Sequence, residues 1–498
     1  MPPVSTPSRW AVFLGIALLT LLVRLPHLGE RPMHTDEAVN GYITGQLLAG
    51  QPYQYDPQDR HGPALYLAAV PASRLAGQKH LSDLTEPVLR SIPAIFSFLT
   101  VLLFAVVAKR IGFISAILGA LLFAVAPLPV YYGRYFIHEM LFVFGTLAFL
   151  LSGLRVLESR SHGAAALGAS AAFMLACKET AVLHFAAAAV PLVWWLWAER
   201  NSGTGRRVAL RQFVSPAANA FVAFVLVTLA FYTWGGRNWE GPVDLLKSFP
   251  RFAQRAGGEG HEKPYYYYGL LLGGSGAGWG LIGLAIYGTW LSLKALRSSA
   301  TRTLPLPMLG FYCIAILILY SAIPYKNPWL GLNLWLPIAL LAGVGFQKLW
   351  FARQRAAARA ALILGATALL ALSGQETWKW GFARPSDDRN PYAYAHTVED
   401  LLGLPERLKA LTHTNTARVR ISVVASDPWP LPWYLRRFSR VGYYQPGQDP
   451  GVADFYVSSL EPAPNLEARA EGWRSEFFGV RPEVLLLLWT PPAAGIDE

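Results

Sequence analysis

Long apolar segments alternate with short polar loops along most of the chain. A helix needs roughly 20 residues to cross a bilayer, and about eleven segments are candidate spans by this pattern. They are residues 10–28, 90–108, 113–130, 137–157, 164–177, 181–197, 213–233, 266–293, 308–324, 329–346 and 360–373. The pattern predicts an α-helical polytopic membrane protein.

The pattern changes after residue 373, where Pro, Asp and Arg become frequent and no further span follows. Residues 418–426, 454–459 and 484–489 are typical of strands, and a helix begins within 428–437. The sequence therefore predicts two domains. Residues 1–374 form the transmembrane domain, and residues 375–498 form a small extracytoplasmic α/β domain.

Basic residues indicate which loops face the cytoplasm. The segment Ala64–Leu75 is ambiguous, because it is apolar but short and contains Pro71 and Arg74. If it does not cross, the basic loops lie on one side, which the positive-inside rule assigns to the cytoplasm. We therefore interpret residues 29–89 as one long external loop that carries a juxtamembrane helix. The unusual polar clusters then all lie on the external side.

Composition supports a membrane protein. The chain of 498 residues is 53% hydrophobic and 15% charged, whereas soluble proteins carry about 25% charged residues. The net charge of +12 lies largely in short loops, which indicates positive-inside topology and anionic membrane lipid as a partner, not nucleic acid. Cys177 and Cys313 lie in apolar segments, so the sequence offers no disulfide framework or cysteine metal site.

Two adjacent carboxylates, Asp36 and Glu37, follow the first span. On a helix, successive side chains point about 100° apart, so the two acids can serve different partners. One can face a reacting hydroxyl while the other positions it or binds a cation. The alternative is a helix cap, in which Thr35 or Asp36 caps the helix from Ala38 onward.

Two charged clusters lie at span ends on the same side. Glu139 is a second acidic group near the predicted site, and Arg134 could bind phosphate or pair with a carboxylate. Lys178 and Glu179 form a turn between two short spans. The alternatives are an interfacial Arg–Glu pair and charges that keep the turn in water.

Cations beside tyrosines open two later spans. His261 and Lys263 precede four tyrosines that include Tyr267, and Lys326 lies in a similar segment. Cations with tyrosines at headgroup level suit a lipid-linked phosphate. The alternative is an aromatic belt with snorkelling lysines.

The spacing of His, Asp and Glu predicts no closed metal site. Asp36 and Glu139 are nevertheless candidate oxygen ligands for a divalent cation such as Mg or Mn.

Taken in order, these motifs resemble the GT-C superfamily of polytopic glycosyltransferases. That superfamily includes the protein O-mannosyltransferases (glycosyltransferase family 39-like) and the lipid A aminoarabinose transferases. The similar motifs are Asp36-Glu37, 61–66 (HGPALY), 89–93 (LRSIP), 132–135 (YGRY) with Glu139, 178–180 (KET) and 261–268 (HEKPYYYY). Residues 325–330 (YKNPWL), 390–397 (NPYAYAHT) and 429–436 (WPLPWYLR) are similar to a subgroup named for association with flippase activity.

The resemblance implies an integral, multi-pass enzyme of the cell envelope in a bacterial or archaeal-type plasma membrane. It would transfer a sugar, with inversion, from a polyprenyl-phosphate donor to a hydroxyl of a protein, lipid or glycan acceptor. Asp36 would be the general base, Glu37 would orient the acceptor or the base, and Glu139 would complete the acidic site. The implied substrate-binding residues, several of them for the donor phosphate, are His61, Arg90, Arg134, Lys178, Glu179, His261, Lys263, Tyr267 and Lys326.

Two other functions stay open from the sequence. A flippase or transport-associated protein could bind lipid-linked sugars without catalysing transfer. A non-catalytic scaffold could bind partners through the C-terminal domain.

Overall fold

The computed structural model describes residues 6–159, 162–200, 211–274, 277–297, 305–412, 416–461 and 464–492. Its helices are α1 (Thr6–Arg24), α2 (Thr35–Leu48), α3 (Ala64–Leu75), α4 (Glu86–Ile111), α5 (Phe113–Val125), α6 (Pro127–Tyr132), α7 (Glu139–Ser159), α8 (Ala164–Cys177), α9 (Ala181–Arg200), α10 (Arg211–Tyr232), α11 (Gly241–Arg255), α12 (Tyr267–Gly273), α13 (Gly278–Lys294), α14 (Pro305–Ala322), α15 (Gly331–Ala352), α16 (Ala356–Trp378), α17 (Gly403–Leu411), α18 (Leu431–Tyr434) and α19 (Pro464–Arg469). Its strands are β1 (Arg420–Val424), β2 (Arg440–Tyr444), β3 (Phe455–Ser459), β4 (Arg474–Arg481) and β5 (Val484–Thr490).

Within the described residues, eight helices are long and apolar enough to cross a membrane. They are α1, α4, α7, α9, α10, α14, α15 and α16, the last two with short extensions. The number becomes nine if the bent pair α12 and α13 is counted as one span. The protein is thus an integral multi-pass membrane protein, and the predicted fold class of a helical membrane protein with a small C-terminal α/β domain is confirmed.

Several predicted spans are shorter or broken in the structure. The predicted span 113–130 is divided, because α5 ends at Val125 and Pro127 begins α6. Helices α5 and α8 have 13 and 14 residues, and α3, which was not among the predicted spans, has 12. At 1.5 Å per residue, these helices are shorter than the roughly 30 Å hydrocarbon core.

The residues fall into two compact units. The first comprises Met1–Pro26, Pro52–Ala69 and Arg90–Ala383, and the second comprises His27–Gln51, Val70–Leu89 and Arg384–Glu498. The predicted domains, 1–374 and 375–498, stay a prediction, because spatial compactness does not test which parts fold independently.

Helix α15 lies at the centre of the first unit and packs against α5 and α13. In the most apolar stretch of α15, 94% of the residues are buried. The corresponding fraction is 6% in α10 and 6% in α16. An apolar helix enclosed by protein is a core helix, whereas α10 and α16 present apolar side chains outward, as lipid-facing helices do.

A buried arginine joins α1 to α5 in the first unit. Arg24 is fully buried, and its guanidinium donates to the carbonyl oxygens of Phe123 (2.8 Å), Ala124 (3.0 Å) and Pro129 (3.0 Å). The last four carbonyls of a helix have no partner within it. Arg24 therefore caps the end of α5 where the chain turns into α6.

The second unit contains a five-stranded mixed sheet in the order β2-β1-β3-β5-β4. Strand β1 pairs in parallel with β2 and β3, whereas β5 pairs antiparallel with β3 and β4. Val424, Tyr456 and Leu466 belong to the core beside the sheet. Each of the three predicted strand segments overlaps an observed strand, namely β1, β3 and β5, and β2 and β4 were not predicted.

Replacing Arg24 with Met should lower the free energy of unfolding by about 2–3 kcal/mol, because the buried carbonyls at the end of α5 lose a charged donor. Thermal unfolding in detergent measures the change. Lys109→Met, at an exposed position on α4, is the matched control and should unfold like the unmodified protein. Equal stability of the two variants would contradict the capping role.

Candidate active site

Asp36 lies in the first turn of α2, in the second unit. Its side chain is 51% exposed, and its Oδ2 lies 4.0 Å from Nδ1 of His34. The amide of Asp36 donates to the same Nδ1 at 3.0 Å. The backbone at Asp36 is thus fixed while its carboxylate stays open to a partner from solution.

Glu37, by contrast, is fully buried and holds the start of α2. Its carboxylate accepts a hydrogen bond from the His34 amide at 3.2 Å and lies 3.3 Å from the Arg31 guanidinium. His34 and Glu37 together form a capping box. The helix is therefore capped by His34 with Glu37, not by Thr35 or Asp36 as the capping alternative proposed.

Residues distant in sequence hold the backbone before α2. The Met33 amide donates to the Tyr434 hydroxyl at 2.7 Å, and the Thr397 hydroxyl donates to the Met33 carbonyl at 2.7 Å. Nε2 of His34 lies 3.1 Å from the Tyr394 carbonyl. The orientation of the acidic pair within the second unit thus depends on the C-terminal part of the chain.

The first unit contains a paired-charge cluster, which comprises Tyr55, His61, Glu139, Lys178 and Glu179. Glu139 is the first residue of α7, and Lys178 follows α8. Both side chains are buried, and the Lys178 ammonium donates to the Glu139 carboxylate. Each charge thereby compensates the other away from water.

Glu179 is the second buried acid of the paired-charge cluster. Nδ1 of His61 lies 3.0 Å from its Oε2, and the Tyr55 hydroxyl donates to its Oε1 at 2.5 Å. Burial alone would raise the pKa of Glu179, but the charge of His61 and the hydrogen bonds from His61 and Tyr55 outweigh it. They lower the pKa of Glu179 to about 2.

The loop that carries His61 packs tightly against its neighbours. The Tyr53 hydroxyl donates to the His61 carbonyl at 2.5 Å, and Nε2 of His138 lies 3.0 Å from the Gly62 carbonyl. A Cβ at Gly62 would lie 2.4 Å from the Ala176 carbonyl oxygen. Only glycine allows this approach, which sets His61 against the turn after α8.

A basic bridge, defined as residues 261–263 and 325–327, lies elsewhere in the first unit. Glu262 and Tyr325 form an isolated antiparallel bridge, and the Lys326 amide donates to the His261 carbonyl at 3.0 Å. The Lys326 ammonium donates to the carbonyls of Lys263 and Ile323. Lys326 is 1% exposed, and no carboxylate contacts its ammonium within the described part of the chain.

Three further predicted residues belong to the first unit. Arg90 is buried on α4, and Tyr267 begins α12. Arg134 is buried with its guanidinium 4.0 Å from the centre of the Phe382 ring, an arrangement typical of a cation–π contact.

The structure brings predicted residues together in separate groups. Glu139 joins Lys178, and His61 joins Glu179. His261, Lys263 and Lys326 share the basic bridge, while Asp36 and Glu37 lie in the second unit. The predicted roles of these residues stay predictions.

Sequence reasoning missed the partners Tyr55, Arg31 and His34. The pattern of His34 followed three residues later by Glu37 is a capping-box spacing with an unusual first residue, so it could have indicated the cap. Arg31 lies six residues before Glu37, in the loop that precedes the helix, where no regular spacing indicates a contact. For Tyr55 the chain offers no local signal, because it meets Glu179 through the fold.

No group of three or more His, Cys, Asp or Glu side chains that could hold a metal ion occurs among the described residues. At Glu139 the Lys178 ammonium contacts the carboxylate. A divalent cation fits this environment poorly, since it would lie beside a positive charge and needs about six oxygen ligands. The predicted cation at Asp36 and Glu139 stays a prediction.

No family model and no curated protein matches the sequence. Among solved structures, the chain is similar to ArnT from Cupriavidus metallidurans bound to undecaprenyl phosphate. The TM-score is 0.67 at 16% identity, over 98% of this chain and 99% of that one. It is also similar to the oligosaccharyltransferase AglB from Archaeoglobus fulgidus in complex with an inhibitory peptide and a dolichol-phosphate. Here the TM-score is 0.60 at 12% identity, over 95% of this chain and 74% of that one.

These similarities extend over almost the whole chain and establish its fold. The protein has the GT-C fold of polytopic membrane proteins. The fold that the motif resemblance implied is therefore confirmed. At such low identity the fold does not by itself carry residue roles.

Glu179→Gln should remove a pH-dependent part of the stability. A carboxyl whose pKa is lowered by folding stabilises the fold above its unfolded pKa of about 4.3 and loses that contribution as the pH falls toward about 2. The variant should be less stable than the unmodified protein at pH 7, by up to about 3 kcal/mol, and the difference should shrink below pH of about 4.

Thermal unfolding in detergent across this pH range measures the difference. Glu467→Gln, at an exposed position on α19, should show none. A constant difference between Glu179→Gln and the unmodified protein at every pH would contradict the ion pair with His61.

Proposed function

We propose that the protein is a glycosyltransferase that uses a polyprenyl-phosphate-linked sugar donor and acts at the extracytoplasmic face of the membrane. The observation that carries the proposal is the similarity to ArnT, bound to undecaprenyl phosphate, over 98% of this chain. AglB, which shares the fold, is an oligosaccharyltransferase in complex with a dolichol-phosphate. Both neighbours thus hold a lipid phosphate of the class proposed here for the donor.

Asp36 is the proposed general base. Its half-exposed carboxylate can accept the proton of an acceptor hydroxyl, whose oxygen then attacks the anomeric carbon of the donor sugar. The bond from that carbon to the phosphate oxygen breaks, and its electron pair leaves with the lipid phosphate. A single displacement from the opposite face inverts the configuration, and Asp36 then releases the proton to water.

Glu37 is the proposed support for this base. Its carboxylate is engaged by the His34 amide and by Arg31, so it is poorly placed to take a proton from a substrate. Its role in the proposal is to fix the first turn of α2, on which Asp36 lies.

The donor phosphate needs positive charge as its bond to the sugar breaks. Lys326 is a strong candidate, because its buried ammonium has only carbonyl partners in the described residues. His261 and Lys263 flank it in the basic bridge, and Arg90 and Arg134 are further candidates. The Lys178 ammonium is engaged by Glu139, so its contribution to phosphate binding is smaller than that of Lys326.

The proposal also covers the acceptor and the need for a metal ion. The acceptor is a hydroxyl of a protein, lipid or glycan. No step of the proposal requires a metal ion, and addition of Mg²⁺ or Mn²⁺ after chelation tests the separate prediction of a cation near Asp36 and Glu139.

Asp36→Asn should lower the rate of sugar transfer by about 10²–10⁴-fold, because the amide cannot accept the hydroxyl proton. Release of lipid phosphate from a labelled polyprenyl-phosphate sugar, with purified protein in lipid, measures the rate. Asp449→Asn, an exposed substitution in the second unit, is the matched control and should leave the rate unchanged.

Unchanged turnover in Asp36→Asn would exclude Asp36 as the base. Translocation of the lipid without any transfer or hydrolysis by the unmodified protein would instead support the flippase-associated function.

Cysteine labelling tests the proposed sidedness. Val452→Cys, at an exposed position of the second unit, should react with a membrane-impermeant maleimide in intact cells. Gln354→Cys, exposed between α15 and α16, should react only after permeabilisation. The native Cys177 and Cys313 are buried and provide the unlabelled background. The reverse labelling pattern would overturn the topology.

A further inference from the structure

Helix α11 has an apolar face that the first unit leaves uncovered. Val243 is 52% exposed and Leu246 is 68% exposed, and Pro250 and Ala253 are exposed as well. These positions recur at three- and four-residue spacing, so they form one stripe along the helix. In a water-facing helix this stripe would be polar.

The opposite side of α11 packs on the first external loop. Leu245 and Ser248 are buried. The Ser248 hydroxyl donates to the Leu245 carbonyl and lies beside Tyr55. The Arg255 guanidinium lies 3.7 Å from the Asp59 carboxylate and donates to the Gln58 carbonyl. The helix is therefore fixed to the loop that carries His61, and the apolar stripe is directed away from it.

The chain places α11 at the depth of a membrane surface. Gly241, its first residue, packs so closely against the carbonyl of Tyr232 that a Cβ would lie 2.0 Å from that oxygen. Tyr232 is the last residue of the span α10. Beyond α11, the exposed Tyr265 and Tyr266 lead into α12, and aromatic residues of this kind concentrate at membrane interfaces.

The polar side of α11 carries the charges expected at lipid headgroups. Lys247, Arg251 and Arg255 lie on it, and each pairs with a carboxylate of α11 or of a neighbouring loop. This helix has an apolar stripe and a charged polar side, and it is too short in apolar residues to span a bilayer. Such a pattern is typical of helices that lie in the plane of the membrane interface.

We propose that α11 is an interfacial helix whose apolar stripe (Val243, Leu246, Pro250 and Ala253) is immersed in the lipid of the external leaflet. The occupant of the stripe is lipid because the stripe is continuous in the chain with two lipid-facing elements. These are α10, where Phe221 and Leu226 are exposed, and the start of α12, where Leu270 is exposed.

The position of α11 also affects the paired-charge cluster. Ser248 of α11 contacts Tyr55, and Tyr55 donates to Glu179. Contact of the stripe with lipid therefore keeps α11 in place. In turn, α11 keeps the loop that carries Tyr55 packed over the buried Glu179. The inference depends on the membrane-protein fold and, for the leaflet, on the proposed sidedness, and it does not depend on the proposed sugar transfer.

Spin labelling tests the immersion. Cysteine is introduced at Leu246 in one variant and at Lys247 in the other, and each carries a nitroxide in nanodiscs of phosphatidylcholine and phosphatidylglycerol. Collision rates with oxygen and with a water-soluble nickel chelate report the depth. Because neighbouring side chains point 100° apart on a helix about 10 Å wide, the nitroxide at 246 should lie about 5 Å deeper than that at 247.

Val243→Cys is a second site on the same stripe and should give the depth found at 246. Equal exposure of the nitroxides at 246 and 247 to the nickel chelate would overturn the proposal. Protection of the nitroxide at 246 from both oxygen and the chelate would also overturn it, since that result indicates a protein partner on the stripe.

Discussion

Pairing of buried charge is the constraint on which the first unit depends. An ionised group in an apolar, water-poor surrounding is costly unless a partner compensates it. Glu139 meets Lys178, Glu179 meets His61, and Arg24 meets the carbonyls at the end of α5. Because these partners come from different helices and loops, each pair connects distant parts of the chain. The turn after α8 contributes to two of the pairs and is thereby fixed on both sides.

The two acids at the start of α2 show how one motif supplies both stability and an open carboxylate. Glu37 is buried and engaged by the backbone and by Arg31, which leaves it little freedom to exchange a proton. Asp36, one residue earlier and about 100° around the helix, keeps its carboxylate exposed. The cap thus fixes the backbone under Asp36 without occupying its side chain, which is the arrangement that a general base needs.

Local sequence patterns predicted the strands that have a neighbouring strand on each side, and they missed the strands at the two edges of the sheet. The predicted strands correspond to β1, β3 and β5, which are the three inner strands of the sheet. The missed strands, β2 and β4, are the two edge strands. Their sequences, RVGYY and RSEFFGVR, lack the continuous apolar segment that marks the inner strands, because more of their side chains are exposed. Likewise, apolar content predicted the spans well, but the break at Pro127 depends on proline backbone geometry.

The sequence by itself determined that this is a helical membrane protein with a small C-terminal sheet and that the chain carries an acidic pair and two basic segments. Those properties follow from hydrophobic periodicity and from the cost of placing charge in lipid, both of which act locally. Only the tertiary structure decided which charges are engaged. Lys178 and Glu179 acquire partners through long-range contacts, whereas the partners of Glu37 lie three and six residues before it. Asp36 and Lys326 keep charges without an opposite charge in hydrogen-bonding contact in the described residues. Local patterns cannot encode such pairing, because it depends on the distance between groups that the fold brings together.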